Sequence, residues 1–463
     1  MQDESLTRVA SGELFRQSAP VAGPFPSINI GEFETATLSN GLTLIVVENH
    51  KLPKIAYQLI VSHDPVSELE KSGVADICGE LLSRGTRTRS KSELDDRIDF
   101  LGANLQTSSS GVYGSTLSKY EDEFLSLFLD ILLHPAFPEK EFNKLKLKAK
   151  SRLQSVRTEP SEIAYNICSA VVFGDNHPYA DIMTPETLDN ITLGDCRNHY
   201  ETYWRPNCSY LAIVGDTTME EVMKNVAPKL SLWNKRSVPA HQYEAPQLPD
   251  VPTICFVDRP GAVQSELRVT YPLDLHPANQ NRIPAAIMNH ILGGGAFSGY
   301  LMHNLREDKG YTYGVRSLLQ IDHVCAEFRV STSVGTEVTV SAAQEIFNEM
   351  DRIRVTKVDA DHLVLAKNSM VGSFARSLEN PQTLANRVLN MLRFQLPDDF
   401  YQTFADKLSR VTAEEIQVMA NEYIQHERAY MVIVGDYDAL SDNIKEAFPT
   451  AEIRFFDHFG RKV

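Results

Sequence analysis

One run of seven residues occurs twice. Tyr210-Leu-Ala-Ile-Val-Gly-Asp216 is matched 220 positions later by Tyr430-Met-Val-Ile-Val-Gly-Asp436, and each copy follows a helical segment that contains a tyrosine, Tyr203 or Tyr423. A second register agrees to within one residue: Phe142, Lys146, Pro160 and Ala164 correspond to Leu363, Lys367, Pro381 and Ala385, an offset of 221. Self-similarity at so long a period belongs to a duplicated domain, since solenoid repeats run ~20–50 residues. The chain is therefore expected to fold twice into one kind of unit. Each run is short, apolar and closed by Gly-Asp, the pattern of a buried strand ending in a turn. The 463 residues divide accordingly: an N-terminal extension over 1–30, a first domain over 31–235, a linker over 236–252 and a second domain over 253–463. Pro239, Pro246, Pro249 and Pro252 keep the linker extended and semi-rigid.

Within the first unit the periods alternate between two and 3.6. Glu32 to Asn49 alternates, with Leu42, Leu44 and Val46 on one face, and Ile55 to Ser62 alternates again, which predicts two strands of an antiparallel pair. Helical spacing predicts helices over Gly73 to Ser83, Ser92 to Leu101 and Glu121 to Leu133. Glu139 to Val156 is amphipathic: Phe142, Leu145, Ala149, Leu153 and Val156 line one stripe, and Lys140, Lys144, Lys148 and Arg152 cover a solvated face.

Composition narrows the function. A formal net charge of -16, without any long Lys/Arg cluster, argues against a nucleic-acid partner. The six cysteines contain no C-x-x-C and no tight cluster, so neither a zinc knuckle nor a disulfide scaffold is expected. No apolar run approaches the ~18 residues of a membrane span, and Phe124 to Leu133 is broken by Asp130. The opening MQDESLTRVASG lacks the basic and apolar regions of a signal peptide, so a soluble protein is expected, either cytoplasmic or periplasmic with its leader removed.

The second unit carries its own unusual stretch, Ile291 to Val315. Gly293, Gly294 and Gly295 precede Leu301, Met302 and Leu305 at helical spacing, then Gly310 and the strand-like run Tyr311 to Leu319. The reading is loop, helix, turn, strand, with Gly310 just past the helix end. Arg306 in the last helical turn and Tyr313 in the strand would then face each other across that turn. A phosphate cradle fails on inspection. A P-loop ends in Gly-Lys-Ser/Thr, whereas Gly299 precedes Tyr300, and the third glycine of G-x-G-x-x-G is here Ser298. Neither H-E-x-x-H nor H-x-x-E-H nor G-x-S-x-G occurs.

Two segments nevertheless carry a specific resemblance. Gly73-Val-Ala-Asp-Ile-Cys-Gly-Glu-Leu-Leu-Ser-Arg-Gly-Thr86 resembles the signature of the inverzincin peptidases, the pitrilysin and insulinase-like family that includes the mitochondrial processing peptidases. Catalytic members read H-x-x-E-H at its centre, where two histidines hold zinc and the glutamate activates water. Here those places are Asp76, Gly79 and Glu80, and the third ligand position falls near Ser151 and Arg152. The resemblance implies that the frame is kept without the metal chemistry, with Asp76 and Glu80 solvated or paired with Arg152. Leu305 to Val315 is similar to the segment whose Arg and Tyr, seven residues apart, reach the substrate near the zinc of the opposite domain. Arg306 and Tyr313 keep that spacing, and Gly293, Gly294 and Gly295 become the flexible lead-in; all five are expected to bind substrate. Guanidinium and phenol suit the task as rigid donors to a peptide carbonyl or an oxyanion.

The family implies an α+β fold of two homologous domains, each a largely antiparallel sheet packed with helices. They close like a clam around an unfolded peptide that adds as a strand. The expected function is that of a non-catalytic subunit of a two-chain zinc metallopeptidase. No cofactor is expected in this chain and zinc is expected on its partner, a homologous zinc-bearing subunit in a heterodimer, with a homodimer as the other arrangement. The alternatives are a catalytically inactive scaffold or peptide-binding protein of the same fold, and a hydrolase with another metal geometry.

Overall fold

The computed structural model describes residues 31–295 and 297–463, so the expected extension over 1–30 lies outside the described residues. Each half builds a six-stranded sheet. The first contains β1 (Glu34–Thr37), β2 (Thr43–Glu48), β3 (Lys54–Val61), β4 (Asn104–Ser108), β5 (Gly111–Leu117) and β6 (Ser209–Gly215). The second contains β7 (Thr253–Asp258), β8 (Gln264–Leu273), β9 (Val315–Ile321), β10 (Ala326–Gly335), β11 (Tyr430–Gly435) and β12 (Glu452–Phe455). Their orders, β1-β2-β6-β3-β5-β4 and β12-β7-β11-β8-β10-β9, superpose position by position. The senses agree as well: β2 runs parallel to β6 as β7 does to β11, and β3 antiparallel to β6 as β8 does to β11. The outer strands differ, β1 being antiparallel to β2 and β12 parallel to β7. The fold is α+β, a duplicated pair of largely antiparallel sheets with helices.

The repeated run is the middle of each sheet. β6 separates β2 from β3, so that Ile213 faces Val46 on one side and Tyr57 on the other. The expected direct pairing of the first two alternating segments therefore does not form. Alternation marks a strand with one face on a core but does not name its neighbour. The fully apolar run takes the interior position because it has two faces to bury.

What lies on those two faces ties the halves together. Leu211 and Ile213 pack into the first core with Leu44, Tyr57, Phe124 and Phe128. Ala212 and Val214 point the other way, onto Ala385, Val388 and Leu389 of the helix Pro381–Arg393, which belongs to the second half. In the second sheet Met431 and Ile433 enter their own core. Val432 and Val434 meet Ile163, Ala164 and Ile167 of the helix Pro160–Phe173 from the first half. Each half thus gives one helix to the other. Both helices open on proline in the first turn, where the missing N–H leaves no intrahelical bond unmade. Burying each Val, Leu or Ile in these seams stabilises the arrangement by about 1.5–3 kcal/mol relative to exposure. Residues 236–252 form neither helix nor strand. Their first part lies along the first half, where the His241 N–H donates to the Asp64 carboxylate at 3.0 Å and the Tyr243 hydroxyl to the Pro65 carbonyl. Their end lies against the second, where Arg428 donates to the Pro249 and Leu248 carbonyls at 2.9 and 3.3 Å.

Candidate functional site

The helix Val74–Leu82 begins after Gly73, whose φ of 104° suits glycine. Its first turn is capped from outside by Glu68, which accepts the Gly73 and Ala75 N–H groups at 2.6 and 2.7 Å. Burial nevertheless pushes the Glu68 carboxyl up to about 7, with Asp76 and Asp181 adding repulsion. Asp76 is exposed in the same first turn. Glu80 is held by Lys148 at 3.6 Å and Arg84 at 3.8 Å. The helix Glu139–Val156 thus meets Glu80 with Lys148, one turn before the expected Arg152, beside Arg84 from just past the end of Glu80's own helix. Arg152 lines the same cleft of ≈ 480 Å³, together with Asp76, Glu80, Lys148 and Tyr165.

Gly79, which the sequence resemblance sets at the place of the water-activating glutamate, is pressed against the turn between β4 and β5. A Cβ built there would land on the Ser108 carbonyl and 2.5 Å from the Ser109 nitrogen. No side chain fits at this position without moving that backbone. Nor do the neighbouring residues fit zinc. The cleft is lined by four carboxylates, Asp76, Glu80, Glu162 and Asp181, and by no histidine. No three of them gather closely enough among the described residues to share an ion, and Lys148 and Arg152 bring positive charge where a divalent ion needs donors. Among the described residues one group of candidate ligands does gather elsewhere, Asp351, His426 and Glu427 within 4.8 Å. Arg354 already serves it as the cation, bonded to Glu427 and 3.3 Å from Asp351.

The glycine stretch folds differently from its expected loop. The helix Arg282–Asn289 runs on into a π-helical turn, His290–Gly294, and a short helix, Tyr300–Met302, passes into a second one, His303–Asp308. Added Cβ atoms would lie 2.9 Å from the Ser317 nitrogen of β9 at Gly293, 2.8 Å from the His290 oxygen at Gly295, and 3.0 Å from the Gly293 Cα at Gly299. The glycines permit close backbone approach, so a packed turn replaces the flexible lead-in. Gly310, at φ +65°, ends the helix as expected.

β9 begins only at Val315, which leaves Tyr313 in the connection before it. Tyr313 is 95% exposed and has no partner among the described residues. The Arg306 guanidinium lies over the Phe297 ring at 5.2 Å, and its Nε is 3.5 Å from the Glu307 carboxylate. Arg306 and Tyr313 do not clasp each other, and both keep hydrogen-bond donors free of the described residues. Phe297 was not singled out by sequence reasoning. Its signal is that of one aromatic residue in a turn of small residues, Gly293 to Gly299.

Residues 46–186 match the model of the insulinase family, peptidase family M16, and residues 190–370 match the model described as the peptidase M16 inactive domain. The chain belongs to the M16 peptidase family. This M16 chain is 21% identical to the uncharacterized zinc protease YmxG of Bacillus subtilis, over 76% of its own length and 86% of the relative's. It is also 21% identical to the non-peptidase homolog YmxG of Helicobacter pylori, over 82% and 88%. The match to the rat mitochondrial-processing peptidase subunit beta is 24% over 49% and 47%. Among solved structures, the peptidase M16 inactive domain from Pseudomonas fluorescens superposes with a TM-score of 0.80 at 20% identity, over 88% of this chain and 98% of that one. Two relatives that share one name differ in being called a protease and a non-peptidase, so the residues at the site carry the argument. Asp76, Gly79 and Glu80 stand where the resemblance sets H-x-x-E-H, and residues 190–370 are similar to the inactive M16 domain. No helix among the described residues is long and apolar enough to cross a membrane.

Proposed function

We propose that this M16 chain is the non-catalytic subunit of a two-chain zinc peptidase. It pairs with a homologous chain bearing H-x-x-E-H and lends Arg306 and Tyr313 to a peptide held at that chain's zinc. The observation that carries the reading is an asymmetry: backbone closes the position of the catalytic base at Gly79, whereas Arg306 and Tyr313 stand outward with donors unpaired. A guanidinium and a phenol can hold the scissile carbonyl and the oxyanion that forms from it. Gly293, Gly294 and Gly295 contribute by shaping the turn beside Arg306. β9 is the last strand of its sheet among the described residues, the position at which an extended peptide adds as a further strand. The names of the relatives support the reading, one a non-peptidase homologue and another a subunit of a processing peptidase.

The test compares zinc content and hydrolysis of an unfolded peptide for the chain alone and after mixing with an H-x-x-E-H homologue encoded by the same genome. The lone chain is expected to bind no stoichiometric zinc and to show no turnover, and the mixture to turn over. Arg306→Ala and Tyr313→Phe should each lower kcat/KM of the complex by about 10²-fold, with the complex still intact on size exclusion. Stoichiometric zinc or robust hydrolysis by the lone chain would overturn the proposal. Unchanged turnover of an intact complex would instead assign the chain a scaffold role.

A further inference from the structure

We infer that Phe297 is the positioning residue for Arg306. This rests on the reading of Arg306 as a substrate contact. Little else holds that side chain: its guanidinium donates no hydrogen bond to a described residue, and its ion-pair partner Glu307 is adjacent in sequence and more than half exposed. An exposed pair of that kind restrains a long side chain weakly. Phe297 is different because the described glycines before and after it are closely held. Gly295 donates its N–H to the His290 carbonyl at 2.8 Å, and the Gly299 carbonyl accepts the His303 N–H at 3.0 Å. Between them Gly299 touches Gly293 so closely that a Cβ would sit 3.0 Å from the Gly293 Cα. Phe297 sets a large, 69% exposed ring against the Arg306 guanidinium, 5.2 Å away.

The geometry of the pair suits the task. A ring that takes the flat face of a guanidinium leaves the in-plane N–H donors free, and these are the donors a peptide carbonyl needs. The glycines thereby gain a role: they let the turn close tightly enough to set one aromatic ring against one arginine nine positions ahead. Tyr313 needs no such support, having a single stiff ring on a backbone fixed by the Thr312 hydroxyl, which donates to the Ser333 carbonyl at 2.8 Å.

Two readouts test this and keep its failure separate from that of the subunit reading. On the full-length chain alone, 15N-arginine NMR follows the Arg306 Nε–Hε resonance, assigned with Arg306→Lys. Phe297→Ala and Phe297→Leu should abolish its ring-current shift, while Phe297→Trp keeps one, with thermal melts unchanged because the ring is at the surface. A resonance indifferent to Phe297→Leu overturns the inference whatever the chain's function. In the complex, Phe297→Ala should lower kcat/KM about 3-fold, Phe297→Trp should restore it, and Phe297→Ala should have no effect in an Arg306→Ala background. An equal effect in both backgrounds also overturns it. Loss of activity in Arg306→Ala alone reports on the underlying reading, independently of Phe297.

Discussion

Lys146 and Lys367 occupy equivalent places in the two halves and do the same thing there. Lys146 donates to the Ile191 and Asp189 carbonyls at 2.9 and 3.2 Å, and Lys367 to the Ser409 carbonyl at 2.8 Å. Each thereby satisfies carbonyls just ahead of a helix opened by a threonine capping box, Thr192 with Asp195 and Thr412 with Glu415. Burial lowers both ammonium groups from the ordinary lysine value. Truncation leaves carbonyls unpaired, so Lys367→Met should cost about 1–2 kcal/mol in a denaturant titration, and Lys146→Met somewhat more. That the two lysines correspond was visible in the sequence; their partners, backbone carbonyls some 40 residues on, were not. His199 gives the pH dependence. It is buried against Tyr203 and His63, and burial pushes it down to about 4, with repulsion from His63 adding to the effect. The unfolded chain, with an ordinary histidine near 6.5, binds the proton more readily than the folded one. The stabilisation is complete above pH 6.5 and is lost as pH falls toward 4, worth about 3 kcal/mol for this site at ~1.4 kcal/mol per pH unit. Melting temperatures should fall over that window, and His199→Phe, which forfeits no hydrogen bond at Nε2, should flatten the fall. Glu68 has the opposite sign. Its carboxyl, raised to about 7, stabilises the fold at low pH and loses that contribution as pH rises through 7. Glu68→Gln, which gives up one of the two oxygens that accept the Gly73 and Ala75 N–H groups, should be less stable than the parent at low pH but should lose less stability as pH rises through 7.

At the scale of elements, the helix Val74–Leu82 was legible almost to the residue, and so was the absence of histidine from it. How completely the site is closed was not legible, because the atoms against Gly79 come from Ser108 and Ser109, about 30 residues away on the turn after β4. Sequence pattern reports the face a residue presents and says nothing of the distant backbone it meets. Writing the motif back in separates the two contributions. Asp76→His with Glu80→His should fold with a melting temperature near the parent's, because both positions are open to the cleft. Adding Gly79→Glu should cost at least about 2 kcal/mol, since the new side chain must displace the turn. A triple variant that melts like the parent and binds zinc would show that the turn yields. The glycine stretch was misread for a related reason: glycine is a poor helix former, so three in a row suggest a loop. Here backbone contacts to Ser317 and His290 outweigh that propensity and hold a π-helical turn.

For the whole molecule, the duplication was written in the repeated strand, and the register Pro160 and Ala164 to Pro381 and Ala385 marked two equivalent helices. That these helices trade places could not be read, because helical periodicity announces an apolar stripe without naming the sheet that receives it. The exchange has a consequence for the division at the linker. A first half cut off at residue 235 would keep the helix Pro160–Phe173, which belongs on the other sheet, and would bare Ile45, Val47, Ala212 and Val214. A second half beginning at 253 would bare Cys255, Val257, Val432 and Val434 while holding the helix Pro381–Arg393 without its sheet. Each fragment would expose a contiguous apolar face, the condition for association or aggregation. Expressed alone, fragments 31–235 and 253–463 should therefore bind a hydrophobic dye and melt broadly. Refolded together they should form a 1:1 species with one cooperative melt, because each supplies the missing helix. Val388→Asp, a change in the second half, should weaken that species by unseating the cover of the first sheet, and Ile167→Asp should do the converse. Two fragments that melted sharply and independently, at the temperature of the intact chain, would refute the exchange as the link that makes the halves one cooperative unit.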